Sequence, residues 1–201
     1  MARPQLRVIR GGAGAPAEET DDEALVRAIR DGAPRAEEEL YRRHARAVLL
    51  RIQRLVSSRQ DAEDALQDTF ITALREIGTL REPKALSGWL LKIAVHQAHR
   101  RIRRERLLRT LGFGRGGDDE WLAAQARGDL SSEARAELVL LGRSLRGLSA
   151  TDRIAWTLRW VEDLSLEEVA DACGCSLATA KRRIAAAEAV VGRHFAKEGS
   201  S

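Results

Sequence analysis

SLEEVADACGCSLATAKRRIAAAEAVV, residues 165–191, decides the fold. It reads as helix, tight turn, helix. Ser165, with Glu168 three residues on, has the spacing of a capping box. Ala170 is small enough for two helices to cross closely, and Gly174 falls where the turn needs a left-handed backbone. Ser176 can cap the second helix. Leu177, Ala180, Ile184, Ala187 and Val191 then recur at three- and four-residue spacing and predict its buried face. The opposite face carries Ala178, Thr179, Arg182, Ala185 and Ala186, flanked by Lys181 and Arg183. Small residues let such a helix enter a major groove about as wide as itself. Thr179 and Arg182 can reach base edges, while Lys181 and Arg183 suit phosphates. The plainer alternative is a helical hairpin with a polar outer face. It leaves unexplained why cap, small residue, turn glycine and basic second helix coincide.

Cys173 and Cys175 bracket the turn glycine. One intervening residue is too tight for an unstrained disulfide, and a single pair is no zinc site. They read as small hydrophobes buried beside the turn. The sharper alternative is a redox switch on DNA binding.

Outward from this motif, the chain is rich in Ala, Leu, Arg and Glu, which favour helix, and aromatics are only 4%. We expect an all-α protein: two helical domains joined by a flexible linker, the second containing the helix-turn-helix. Residues 1–20 read as a disordered tail and residues 21–110 as the first domain. In that domain Asp21 or Asp22 would cap a helix carrying Leu25, Val26 and Ile29 and ended by Gly32. A second helix runs from Pro34 in its first turn to about Val56, a third from Asp61 to Ile77, and a fourth from Trp89 to Leu108. Turn-forming GFGRGGDDE opens the linker, residues 111–132, with a short helix foreseen near 121–126. Residues 133–195 form the second domain, with helix starts at Ser149 and Ser165, and 196–201 should fray. Trp156 and Trp160, just before the helix-turn-helix, are expected in its core.

Two faces of the first domain carry chemistry. In DAEDALQDTFITALREI, residues 61–77, Ala62, Leu66, Phe70, Ala73 and Ile77 make an apolar stripe. Asp61, Asp64 and Asp68, with Gln67 and Ile71, lie on another side. Acids so spaced repel one another, and a basic partner would turn that into attraction around an exposed Ile71. The alternative is a solvated face whose early acids favour the helix dipole.

In WLLKIAVHQAHRRIRRERLL, residues 89–108, Leu91, Ala94, Val95, Ala98 and Ile102 share one side. Lys92, His96, His99, Arg100 and Arg103 share another. Residues 89–109 hold seven Lys and Arg against one acid, Glu105, although the whole chain is only +4. A stripe of one sign points to a polyanion, and a face contacting several phosphates binds more weakly as salt rises. The histidines as metal ligands are disfavoured, because the surrounding arginines would repel a cation. A membrane-surface helix is the remaining alternative.

Taken together, AEDALQDTF (62–70), GWLLKIAVHQAHRRIRR (88–104) and LSATDRIAWTLRWVEDLSLEEVADACGCSLATAKRRI (148–184) resemble, in that order, motifs of the extracytoplasmic-function group of bacterial sigma factors. The resemblance covers about residues 22–110 and 133–195. It implies a transcription initiation factor whose Asp61, Asp64, Gln67, Asp68 and Ile71 dock on a basic coiled coil of core RNA polymerase. The fourth helix, through Lys92, His96, His99, Arg100 and Arg103, would bind the minus-10 element of promoter DNA. Thr179, Lys181, Arg182 and Arg183 would bind the minus-35 element, and an anti-sigma factor is implied as a further partner. The chain departs from the group at His96 and Arg100, where Asn and Asp are common, so its fourth helix is more basic than usual.

The alternative is a stand-alone helix-turn-helix regulator, which would have no need of the acidic face. No glycine-rich phosphate loop, nucleophile–base pair or metal cluster stands out in the sequence, so neither catalysis nor a cofactor or metal is expected. The first residues lack the apolar core of a signal peptide, and no run approaches a membrane span. A cytoplasmic protein without membrane insertion is expected.

Overall fold

The computed structural model describes residues 19–112 and, apart from 143 and 146, residues 141–198. Among these every regular element is helical. Residues 1–18 of the expected tail, most of the linker, the short helix near 121–126 and residues 199–201 lie outside the described residues; Glu19 and Thr20, expected in the tail, instead open the first helix, so Asp21 and Asp22 lie inside it rather than capping it.

The first unit has four helices: α1 (Glu19–Arg30), α2 (Ala36–Leu55), α3 (Arg59–Glu76) and α4 (Leu86–Thr110). Their sequence stripes do become the core, since Leu25, Val26, Leu40, Ile52, Ala62, Phe70 and Ala73 are all buried. Ser58 accepts a hydrogen bond from the Asp61 amide at 3.1 Å and caps α3. Arg30, at the end of α1, donates to the Ile77 carbonyl at 3.0 Å and also to that of Leu80, which ties α1 to the far end of α3.

Helix α3 begins two residues before the expected Asp61, behind its Ser58 cap, and two further boundaries differ from expectation. Pro34 does not lie in the first turn of α2. Gly32 (φ 67°) and Arg35 (φ 66°) both take left-handed backbone, and the helix starts at Ala36. Two such residues in the space of four reverse the chain sharply, and proline's fixed φ suits that turn. The fourth helix begins three residues early, at Leu86, after a 3-10 turn over Pro83–Ala85. Its first residue is fully buried, so packing extends the helix back through Gly88.

The second unit comprises α5 (Ala150–Trp160), α6 (Leu166–Ala172) and α7 (Leu177–Glu198), preceded by helical residues between 141 and 147. Helix α7 continues beyond the expected end at residue 195. Ser149 caps α5 and Ser165 caps α6, the latter with both bonds of the capping box. Gly174 sits between α6 and α7 with φ 58°.

The units pack against each other. Helix α4 meets α2 and α3 on one side and α5 and α6 on the other, and one apolar core runs through both units. The stripe expected on α4 is buried, and so are Leu90 and Ile93.

Candidate nucleic-acid and protein interface

The helix-turn-helix forms as its residues dictate. Ala180, Ile184, Ala187 and Val191 are buried, and Ala178, Lys181, Arg182, Ala185 and Ala186 are exposed. Ser176 accepts from the Thr179 amide at 3.2 Å, and the two hydroxyls lie 2.9 Å apart, so Thr179 belongs partly to the cap. Two expectations fail. Leu177, the first residue of α7, is 37% exposed. Trp156 is buried, but Trp160 is 44% exposed, with the Arg159 guanidinium 5.2 Å from its ring. It is the last residue of α5, where the helix leaves the core.

Cys173 and Cys175 are free, partly buried thiols against the core. Burial pushes the Cys173 thiol up to about 11, which leaves little of the thiolate that redox chemistry requires.

On α3 the apolar stripe is buried, while Gln67 is exposed and Ile71 is 55% exposed. Asp61, Asp64 and Asp68 are half-buried, and each has a partner. The Ser58 hydroxyl donates to Asp61 at 2.7 Å, and Gln60 donates to Asp64 at 3.0 Å. Arg101 of α4 donates to Asp64 at 3.2 Å and to Asp68 at 2.6 Å. The sequence placed Arg101 in the basic stripe. Its side chain turns instead onto α3.

On α4, His96, Arg100 and Arg103 are exposed, while Lys92 and His99 are half-buried. His96, His99, Arg100 and Arg103 line a common groove. Lys92 is 2.6 Å from Asp171 of α6. Arg183 of α7, expected beside the outer face, lines a cleft of about 780 Å³ between the units, together with Lys92, His96 and His99. Burial foremost, then the charges of Arg103, His96 and Arg183, holds the His99 imidazole below its ordinary pKa.

Sequence reasoning missed the contacts that join the units. Glu162, after α5, pairs with Arg54 and, at 3.5 Å, with Arg51 of α2. Buried Arg153 donates to Ser57 at 3.0 Å. Residues about a hundred positions apart leave no local pattern from which such pairs could be read.

No group of three or more His, Cys, Asp or Glu that could hold a metal occurs among the described residues, and no helix there is long and apolar enough to cross a membrane.

A chain whose described elements are all helical, with a helix-turn-helix in one unit and a basic helix beside an acidic face in the other, belongs to the class of DNA-binding transcription proteins. Comparison with known proteins sharpens this. Residues 40–107 match the family model of sigma-70 region 2, and residues 138–189 match that of sigma-70 region 4. The chain is 31% identical over 176 residues to the ECF RNA polymerase sigma factor SigM of Mycobacterium tuberculosis, covering 87% of this chain and 85% of that protein. It is 30% identical to the ECF RNA polymerase sigma-E factor of Escherichia coli, covering 83% and 90%. The protein is a member of the sigma-70 family, in the group of ECF RNA polymerase sigma factors.

Among solved structures the fold is similar to that of CnrH in complex with the cytosolic domain of CnrY, with a TM-score of 0.60 and 22% identity over 88% of this chain and 97% of that one. The sigma factor RpoE of Bartonella quintana, in complex with the anti-sigma factor NepR, gives a TM-score of 0.59 at 22% identity over 80% and 97%.

Proposed function

We propose that this sigma factor docks on core RNA polymerase through Asp61, Asp64, Gln67, Asp68 and Ile71 of α3. It reads the minus-10 element with Lys92, His96, His99, Arg100 and Arg103 of α4. It reads the minus-35 element with Thr179, Lys181, Arg182 and Arg183 of α7. It performs no catalysis of its own, and its place of work is the cytoplasm, where the polymerase and its promoters are. The observation that carries this reading is the coexistence, on one chain, of two basic helices and a separate acidic face with an exposed apolar centre. A stand-alone regulator has no use for that face.

The two elements are, by their names, about 25 base pairs apart, or about 85 Å at roughly 3.4 Å per pair. With Lys92 bonded to Asp171 the two readers lie side by side and cannot serve both elements at once. The units therefore separate on a promoter. Residues 113–140 lie between them, long enough to cover that distance at roughly 3.3–3.6 Å per extended residue. A partner that binds the packed form would hold the factor inactive. An anti-sigma protein fits that role, in line with the complexes in which the fold's structural neighbours occur.

A titration against bacterial core RNA polymerase tests the docking assignment. Wild type should bind tightly, and Asp64→Lys/Asp68→Lys should fold and lose binding. A double variant that binds as tightly as its parent would overturn the assignment.

A further inference from the structure

We propose that Arg101 is a positioning residue for the polymerase-docking face, a role that rests on the docking reading above. Asp64 and Asp68 stand one helical turn apart, where two carboxylates repel each other. Arg101 reaches over from α4 and holds both, Nη1 on Asp64 at 3.2 Å and Nη2 on Asp68 at 2.6 Å. The planar fork offers each carboxylate its own nitrogen in a fixed geometry, whereas a lysine ammonium has a single nitrogen on a flexible stem.

Two further contacts restrain the acids of this face. Asp61 is held by Ser58, and Asp64 is held a second time by Gln60. Ile71, beside them, stays open to solvent. Docking on carboxylates that are already held avoids part of the entropy cost of association. Arg101 is also withdrawn from the nucleic-acid side. Its side chain is 17% exposed, against 35% for Asp64 and 41% for Asp68, whereas Arg100 and Arg103 stand out in solvent.

Two effects of Arg101 oppose each other. Its positive charge weakens the pull of the acidic face on a basic partner, so charge alone predicts that removing it tightens binding. Positioning predicts the reverse. Long-range charge acts mainly on association, and lost order acts mainly on dissociation, so the two rates separate them.

The experiment measures both rates for the full chain on immobilised bacterial core RNA polymerase at two salt concentrations. It uses wild type, Arg101→Ala, Arg101→Lys and Asp64→Lys/Asp68→Lys. For Arg101→Ala we expect association at low salt unchanged or up to about threefold faster, and dissociation about tenfold faster. Arg101→Lys keeps the charge without the fork. It should associate like wild type and dissociate at an intermediate rate, a readout that survives if the alanine variant folds poorly. Dissociation of both variants as slow as wild type, or slower, would overturn the proposal. If the double aspartate variant binds like wild type, the docking reading itself fails, an outcome distinct from failure at Arg101. Preformed polymerase complexes of Arg101→Ala should hold promoter DNA as wild type does. A loss as large as that of Arg100→Ala/Arg103→Ala would move Arg101 into the DNA-binding set and overturn the positioning role.

Discussion

Helices α4 and α7 carry similar chemistry in opposite structural circumstances. Both set basic residues against an apolar stripe. Helix α7 is packed along one side only and turns a surface of alanines and arginine outward. Helix α4 is clasped between α2 and α3 on one side and α5 and α6 on the other, so its basic residues occupy what remains between two buried flanks. Reading and folding are therefore separable in α7 and entangled in α4. Under the proposed roles, a substitution on the outer face of α7 should change what is read, whereas most changes in α4 should be felt first in stability.

The largest expected effect breaks α4. Leu90 is fully buried, and Leu90→Ala should cost about 2–5 kcal/mol of stability, read by urea denaturation. Arg182→Ala, at an exposed site in α7, should leave stability within about 0.5 kcal/mol and remove about 1–3 kcal/mol of base discrimination, read by competition between promoter variants. If the two helices behaved alike in these assays, the contrast would be lost. A smaller effect is expected at the turn. Gly174 has φ 58° with open space where a Cβ would stand, so Gly174→Ala should cost about 1–2 kcal/mol from backbone strain alone.

The smallest effect is the pH response of α4. His99 is held below its ordinary pKa, first by burial, so the unfolded chain takes up its proton before the folded one does. Stability contributed at this site should be intact above the ordinary imidazole value of about 6.5 and fall as pH drops below it. Melting temperatures at pH 7.5 and 5.5 should show a smaller loss for His99→Gln than for wild type. An equal loss would mean that His99 is not the responding group.

The same contrast marks what could be read from the chain beforehand. Helix α7 was legible because cap, turn glycine and a single apolar stripe are local features, and Ser176, Gly174 and Ile184 act locally. Helix α4 was legible only in part. A stripe at helical spacing reports one partner, and the burial of Leu90 and Ile93 reports a second that comes from distant sequence. For the same reason Arg101 read as one more member of a basic run, although its partners Asp64 and Asp68 lie on α3. Trp160 read as core by its place just before the helix-turn-helix, but as the last residue of α5 it is exposed. The interlock of Glu162 with Arg51 and Arg54 has no local signature at all.

Whether one chain carries two separate promoter readers can be decided by mapping start sites made in vitro from fragmented genomic DNA of the source bacterium. Core polymerase would be supplied with wild type, Arg182→Ala or Arg100→Ala/Arg103→Ala. Wild-type starts should share two upstream sequence blocks. Arg182→Ala should relax only the distal block, and the double arginine variant should weaken use of the proximal one. Starts that share a single block, or a distal block indifferent to Arg182, would rule out two separate readers.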